Sequence, residues 1–134
     1  MAENDHPSAV VGIGIDLVKI DEINDLDQRT GGSFVKQTFT EGEKTEAGKR
    51  PDPYEYLAGR YAVKEAVFKA IVSRCSAPFD FRIVETADDG TGKPFLVMNP
   101  GFRKICSEAD VSRIFISISH DAGFAIAIAE AVGN

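Results

Sequence analysis

The stretch VGIGIDLVKI, residues 11–20, decides how this chain begins to fold. It predicts a β-strand, in which successive side chains point to opposite faces. An apolar face and a nearly bare face would alternate: Val11, Ile13, Ile15 and Leu17 on one, Gly12, Gly14, Asp16 and Val18 on the other. The apolar face is typical of core. Glycine inside a strand often marks close approach by a ligand or another backbone, so the bare face would leave room for a bulky group beside Asp16. Taken alone, these ten residues favour a simpler interpretation, a glycine-softened strand end with Asp16 as a capping or turn residue.

Length and composition indicate a single domain spanning residues 1–134. Hydrophobic residues make up 43% of the chain and charged residues 27%, which is ordinary for a globular protein. The 21 acidic and 15 basic residues give a net charge of −6, so we expect no nucleic-acid partner. No apolar run approaches the length of a membrane span, so we expect no membrane association.

The start of the chain and its cysteines indicate the compartment. Residues 1–10, MAENDHPSAV, lack the basic region and apolar run of a secretory signal. The first eight residues are polar, and we expect them to be flexible. Cys75 and Cys106 lie outside any CxxC pattern, which supports neither a disulfide framework nor a zinc site. A reduced, cytoplasmic compartment is predicted.

Helical patterns fill the first half of the chain and strand patterns the second. A polar helix is predicted within 20–34, ended by two glycines, and Thr40 and Glu43 have the spacing of a capping box for a short helix. The longest helical pattern is YEYLAGRYAVKEAVFKAIVSR, residues 54–74.

Four strand patterns follow. FDFRIVET (79–86) and FLVM (95–98) are predicted to be joined by a glycine-rich turn, and SRIFISIS (112–119) and GFAIAIAEAV (123–132) by a hairpin turn. Asn99 would cap a short helix between the two pairs. We therefore predict an α+β fold, a mostly antiparallel sheet packed with one long helix and shorter helices.

The segment GRYAVKEAVFKA, residues 59–70, places charges close to an apolar stripe. Glu65 would be partly desolvated there, which suits a ligand of a divalent cation. Mg²⁺ prefers one or two carboxylates plus phosphate oxygens, so Asp16 and Glu65 could hold it while Lys64 and Lys69 face phosphate charge. The alternative, which spacing alone favours, is an amphipathic helix with solvated pairs four residues apart, such as Glu65 with Lys69.

Two further residues could bind an anion. His120, in SISHDAGFAIAIA (117–129), could contact a phosphate, act as a general base or cap a turn. No Ser/His/Asp triad can be identified around it. Lys93, in GTGKP (90–94), could contact an anion or simply aid solubility.

Taken together and in order, GIGIDLVKI, LAGRYAVKEAVFKA, GKP and SISHDAGFAIAIA resemble the holo-acyl-carrier-protein synthase family, the small 4′-phosphopantetheinyl transferases. The resemblance covers residues 10–131. It implies transfer of 4′-phosphopantetheine from coenzyme A to a serine of an apo acyl carrier protein, with release of adenosine 3′,5′-bisphosphate. It also implies a homotrimer with active sites at subunit boundaries.

The resemblance assigns roles to particular residues. Asp16 and Glu65 would be the magnesium ligands and, with Lys69, the catalytic residues. The coenzyme A site would be lined by Lys69, Lys93 and His120, with Lys64 adding positive charge. The serine proton would pass to Glu65 or to a water on the ion, and the sequence does not choose between them.

Two departures from the family pattern bear on partners. Asp21 and Glu22 of the first helix stand where the family carries basic residues that grip an acidic carrier, which favours a specialised or less acidic carrier. Arg74, in VSRCSAP (72–78), could replace the family's glycine-rich turn as an anion contact. Two alternatives to the enzyme stay open, a non-catalytic relative that binds coenzyme A or a carrier and a purely structural oligomerising domain.

Overall fold

A three-stranded antiparallel sheet with one long helix on one face forms the centre of the computed structural model, which describes residues 8–76 and 79–134. Five strands and five helices follow in chain order: β1 (Ala9–Lys19), α1 (Ile20–Arg29), α2 (Ser33–Thr38), α3 (Glu41–Gly48), α4 (Pro53–Ile71), β2 (Thr86–Asp88), β3 (Pro94–Leu96), α5 (Pro100–Glu108), β4 (Val111–Asp121) and β5 (Phe124–Gly133). The sheet order is β1-β5-β4, and β2 and β3 pair separately. The predicted α+β class is confirmed. Of the eight residues expected to be flexible, 1–7 lie outside the described residues.

Local signals set the ends of the helices as the sequence predicted. The capping box of α3 is confirmed, because the Glu43 amide donates to Thr40 Oγ1 at 3.1 Å and the Thr40 amide to Glu43 Oε1 at 3.0 Å. Asn99 Oδ1 caps α5 by accepting from the Phe102 amide at 2.9 Å. The β4–β5 hairpin is also confirmed, and its turn residues Ala122 and Gly123 both have positive φ, 53° and 82°.

The predicted strand over 79–86 is wrong for most of its length. Residues Phe81–Ile83 form a 3₁₀ turn, and only Thr86 belongs to a strand. The Asp80 carboxylate caps this turn by accepting from the Arg82 amide at 2.8 Å. The carbonyls of Phe81 and Val84 accept hydrogen bonds from the Lys64 ammonium. These carbonyls therefore bond a buried side chain and not a neighbouring strand.

The face of β1 that carries the glycines is buried, and the face that carries the large apolar side chains is exposed. The sequence predicted the reverse. Gly12 and Gly14 lie against α4, so closely that an added Cβ would stand 1.8 Å from the carbonyl oxygens of Ala70 and Ala66. The room beside these glycines is filled by the helix backbone and not by a ligand. The interface is completed by small, buried side chains of α4 and of the central strand: Ala58, Ala62, Ala66, Ala70, Ala125, Ala127, Ala129 and Ala131.

The outer face of the sheet carries large apolar side chains that the chain itself leaves exposed. Their exposed fractions run from 37% to 61% for Ile13, Ile15, Leu17, Phe115, Phe124, Ile126 and Ile128. The residues predicted to be core on β1 are thus on the surface of a single copy, apart from the half-buried Val11. Within the described residues, no helix is both long and apolar enough to cross a membrane.

Candidate active site

Asp16 and Lys69 come together where β1 passes α4. Lys69 Nζ lies 3.0 Å from Asp16 Oδ1 and donates to the Ile15 carbonyl at 3.1 Å. The side chain of Asp16 is 17% exposed and that of Lys69 is 50% exposed. The lysine can therefore leave the carboxylate for solvent or for an anion at modest cost, because a half-exposed ion pair contributes little to stability.

Glu65 lies on the same flank of α4 and accepts a hydrogen bond from the Tyr61 hydroxyl at 2.9 Å. Burial raises the pKa of Tyr61, and the carboxylates of Glu65 and Asp16 raise it further. The phenol therefore stays protonated and acts as a donor. The solvated pair of Glu65 with Lys69, which spacing alone favoured, is wrong, because each residue takes a partner other than the residue four positions away.

Two carboxylate oxygens, one of Asp16 and one of Glu65, are available as ligands for the magnesium ion implied by the resemblance. Asp16 Oδ2 and Glu65 Oε2 accept no hydrogen bond from the described residues. Mg²⁺ is commonly held by one or two carboxylates and completed by substrate phosphates and water. In the described parts of the chain, no group of three or more His, Cys, Asp or Glu side chains could hold a metal. A cation here would rely on these two carboxylates and on oxygens from outside the protein.

Lys64 does not belong to this site, which corrects the prediction that it lines the coenzyme A site. Its ammonium lies 2.9 Å from Glu43 Oε1 and donates to the carbonyls of Phe81 and Val84 at 2.8 and 2.7 Å. Neither Lys64 nor Glu43 exposes any of its side chain. Burial lowers the pKa of Lys64, and the carboxylate of Glu43 opposes that shift. All three donors of the ammonium are used inside the protein, so none can meet a phosphate.

Arg74 is likewise committed to the fold, which corrects its assignment as an anion contact. Arg74 Nε donates to the Ala109 carbonyl at 2.7 Å, and its Nη2 donates to the Asn134 backbone oxygen at 3.0 Å. The guanidinium thereby ties the end of α4 to the end of α5 and to the last residue of the chain.

His120 lines a second region, a cleft of about 440 Å³ on the other side of α4. Its Nε2 lies 3.2 Å from the Glu55 carbonyl oxygen. Two arginines lie beside it and are held by one carboxylate, since Arg50 and Arg60 each reach Asp88 at 2.9 Å. Their guanidinium carbons lie 4.6 and 4.1 Å from the ring centre of Tyr56. Arg60 Nε is buried with no hydrogen-bond partner among the described residues.

Lys93 stands between that cleft and a third concave region. It is exposed in the turn between β2 and β3, and its neighbours Gly92 and Pro94, the first residue of β3, line the His120 cleft. Lys93 itself lines a neighbouring groove of about 560 Å³ that includes Phe95 and Phe115. Lys93 is therefore a surface residue whose two neighbours in sequence line the His120 cleft.

The predicted residues thus form two groups on opposite sides of α4. Asp16, Ala127 and Ile118 occupy one row across the three strands, so Asp16 and β4 are about 10 Å apart in the plane of the sheet. The helix lies between them, because a Cβ on Gly59 would stand 2.9 Å from His120 Nε2 while Gly14 contacts Ala66. One copy of the chain does not bring Asp16 and His120 into one pocket.

Several side chains of these two regions were not predicted from the sequence. Arg60 was given no role, although it lies in the same motif as Glu65, LAGRYAVKEAVFKA. Arg50 lies in a loop and Asp88 at the end of β2, with no motif around either, and their pairing joins residues 38 positions apart. The hydroxyl of Tyr61 could have been found from its (i, i+4) spacing to Glu65.

Comparisons with known proteins agree along almost the whole chain. The family model of the 4′-phosphopantetheinyl transferase superfamily matches residues 12–129. A holo-[acyl-carrier-protein] synthase of Halothermothrix orenii is 35% identical over 116 residues, which are 87% of this chain and 92% of the relative. The crystal structure of the holo-[acyl-carrier-protein] synthase of Neisseria meningitidis superposes with a TM-score of 0.82 at 30% identity, covering 92% of this chain and 98% of that one. The Helicobacter pylori synthase, solved in complex with coenzyme A, gives a TM-score of 0.76 at 26% identity, covering 89% and 98%.

Proposed function

The chain belongs to the 4′-phosphopantetheinyl transferase superfamily, and on that premise we propose that it is a holo-[acyl-carrier-protein] synthase. It transfers 4′-phosphopantetheine from coenzyme A to a serine of an apo acyl carrier protein. The observation that carries the proposal is the approach of Asp16 on β1, with Lys69 on it, to the flank of α4 that presents Glu65. The names of the aligned relatives and the coenzyme A complex of the Helicobacter pylori synthase support it.

In the reaction, the serine oxygen bonds to the β-phosphorus of the coenzyme A pyrophosphate. The bond from that phosphorus to the bridging oxygen breaks, and adenosine 3′,5′-bisphosphate leaves with the bridging oxygen. A Mg²⁺ ion held by Asp16 and Glu65 would withdraw charge from the pyrophosphate oxygens. Lys69, half exposed beside Asp16, can turn toward the leaving phosphate and stabilise its charge. The serine proton passes to Glu65 or to solvent.

The cleft at His120 supports binding of the nucleotide end of coenzyme A. Arg50, Arg60 and His120 offer donors to phosphate, and Arg60 Nε is a buried donor still without a partner in the described chain. Lys93 adds a surface charge at the edge of the cleft. Guanidinium groups bind phosphate through paired, charge-assisted hydrogen bonds, which suits a molecule with a phosphate on its ribose.

Because these two groups lie on opposite sides of α4, a complete site needs two copies of the chain. We propose a homotrimer in which Asp16, Glu65 and Lys69 of one copy face the His120 cleft of the next. The exposed outer face of the sheet, with its large apolar side chains, is the candidate contact between copies, since clusters of exposed apolar side chains mark interaction surfaces.

The proposal includes the cell compartment, the pathway and the kind of carrier protein. Cys75 and Cys106 are free thiols in the structure, in keeping with a cytoplasmic enzyme. Fatty-acid synthesis is the first setting to test, with a polyketide or other carrier-based pathway as the second. Asp21 and Glu22 are exposed on α1, which favours a carrier less acidic than most.

The test is the intact mass of an apo acyl carrier protein after incubation with this protein, coenzyme A and Mg²⁺. We expect a gain of one phosphopantetheine that EDTA and Asp16→Ala both abolish. Glu65→Gln should stay folded and lose most of its turnover, and wild-type rates in that variant would remove Glu65 from the site. Failure on a panel of carriers of different charge would favour a non-catalytic relative.

A further inference from the structure

We propose that Tyr61 is a positioning residue for the carboxylate of Glu65, fixing one of its oxygens so that the other is left for the cation. This inference rests on the proposed function, because it concerns the metal site described there. Nothing in the sequence motifs that led to Asp16 and Glu65 depends on the hydroxyl of Tyr61.

The geometry of the tyrosine supports this role. Tyr61 lies one helical turn before Glu65, and its hydroxyl donates to Glu65 Oε1 at 2.9 Å. Its ring is held by two aromatic neighbours, with ring centres 5.6 Å from Phe34 and 6.1 Å from Phe81. Phe81 is itself anchored through its carbonyl by the buried Lys64 ammonium at 2.8 Å. The hydroxyl therefore comes from a ring with little freedom to move.

Glu65 has a possible competing partner, Lys69, which it does not bind in the structure. Lys69 is four residues further along α4, the spacing at which glutamate and lysine pair most readily on a helix. Were Glu65 to bind Lys69, the two charges would neutralise each other and Asp16 would lose its own partner at 3.0 Å. By holding Glu65 from the preceding turn, Tyr61 keeps both carboxylates at the site, each with one oxygen that accepts no hydrogen bond from the described residues.

The chemistry of the donor also matters. A phenol is neutral, so it orders the carboxylate without cancelling the negative charge that a divalent cation requires. A cationic donor in the same place would order Glu65 and weaken the site. An unheld glutamate would have to give up the freedom of its side-chain rotors when the cation binds, which lowers affinity.

The experiment compares Tyr61→Phe with Tyr54→Phe. Tyr54 is on the same helix, and its hydroxyl also donates to a carboxylate at 2.9 Å, that of Asp27, away from Glu65. Both changes remove one such bond and keep the ring. We would measure Mn²⁺ binding to the protein alone by electron paramagnetic resonance, the Mg²⁺ concentration for half-maximal activity, and the thermal unfolding midpoint.

For Tyr61→Phe we expect the Mn²⁺ dissociation constant and the half-maximal Mg²⁺ concentration to rise about tenfold, the size of a lost hydrogen bond to a charged group. Excess Mg²⁺ should restore kcat, and the unfolding midpoint should shift no more than in Tyr54→Phe. Unchanged metal dependence in Tyr61→Phe, or an equal change in Tyr54→Phe, would overturn the inference. If the wild type modifies no carrier yet binds Mn²⁺ tenfold more tightly than Tyr61→Phe, the positioning role stands and the proposed reaction falls.

Discussion

Lys64 and Glu43 form an ion pair, 2.9 Å between Nζ and Oε1, that is closed off from solvent on every side. Glu43 also accepts from the amides of Thr40 and Thr86, at 3.0 and 3.2 Å. The pair therefore joins α3, α4 and the start of β2 at one point. Burying two charges is expensive, and it is offset only while every donor and acceptor is used.

We predict that Lys64→Met lowers the free energy of unfolding by about 3–5 kcal/mol, because it leaves the Glu43 carboxylate buried and unpaired. Adding Glu43→Gln should recover part of the loss by removing that charge. Lys44→Met is the control, since its pair with Glu41 is at the surface, and it should change the free energy by less than about 1 kcal/mol. Urea unfolding at one fixed protein concentration measures all three. A loss no larger than that of the control would mean that the buried pair contributes nothing.

The contact of Gly14 with α4 predicts a steric penalty. In Gly14→Ala the new methyl group would meet the Ala66 carbonyl oxygen at 1.8 Å, and backbone on both sides cannot yield easily. We expect the free energy of unfolding to fall by more than about 3 kcal/mol, beyond the usual range for overpacking. Gly48→Ala, where a Cβ meets nothing within 4 Å, should leave the urea midpoint almost unchanged. Equal midpoints for the two variants would contradict the close packing of β1 on the helix.

The proposed sharing of the site between copies predicts complementation between two inactive variants. Asp16→Ala and His120→Ala should each be nearly inactive alone. Unfolded and refolded together in equal amounts, they would form mixed oligomers in which about a quarter of the sites combine an intact Asp16 with a neighbour's intact His120. Carrier modification per chain should recover to about a quarter of the wild-type rate. No recovery in the mixture, with oligomers present by light scattering, would put both residues in one chain's site.

The acidic first helix predicts an unusual salt dependence. If α1 faces the carrier, exposed Asp21 and Glu22 repel a strongly acidic one, and added salt screens that repulsion. For such a carrier kcat/KM should rise between low and physiological ionic strength, and Glu22→Lys should raise kcat/KM at low salt and weaken its salt dependence. A neutral carrier is the control and should respond little. A fall in kcat/KM with salt for the wild type would show that α1 does not face the carrier.

The buried thiol of Cys106 predicts a loss of stability in alkali. Burial raises its pKa from 9.0 to about 11, so between these values the folded chain keeps a proton that the unfolded chain releases. Stability therefore falls as pH rises through that window, and Cys106 has no such effect below pH 9. The pKa values of Tyr54, Tyr56 and Tyr61 are also raised, so these tyrosines lower the stability further at higher pH. Urea midpoints from pH 8 to 11 should fall less steeply in Cys106→Ala than in the wild type, and parallel curves would contradict this assignment.

Local chemistry allowed some of this structure to be predicted from sequence. The cap at Thr40, the cap at Asn99 and the hairpin at Ala122 each depend on residues within four positions of one another, and all three were found. The neighbourhood of Asp16 and Lys69, on separate elements, was expected from the chemistry of a magnesium and phosphate site and from the motifs that resemble a family, and not from any local spacing.

What could not be predicted depends on distant partners. Alternation along β1 groups Ile13 with Ile15 but does not say which face is buried, and glycine opposite a helix looks the same in sequence as glycine opposite a ligand. Lys64 was taken for a phosphate contact because its partner, Glu43, lies 21 residues earlier with no spacing rule to connect them. The arginine pair on Asp88 was missed for the same reason.

The distribution of side-chain size across the sheet has an architectural consequence. Small residues line the face toward α4 and large apolar residues line the outer face, so a single chain supplies two layers, helix and sheet, and in the proposed trimer a neighbouring copy would supply the third. Most antiparallel sheets leave one face to water and make it polar; this one does not. A designer who wanted a monomeric form would have to replace the large side chains of the outer face with polar ones while leaving every alanine and glycine on the helix side untouched.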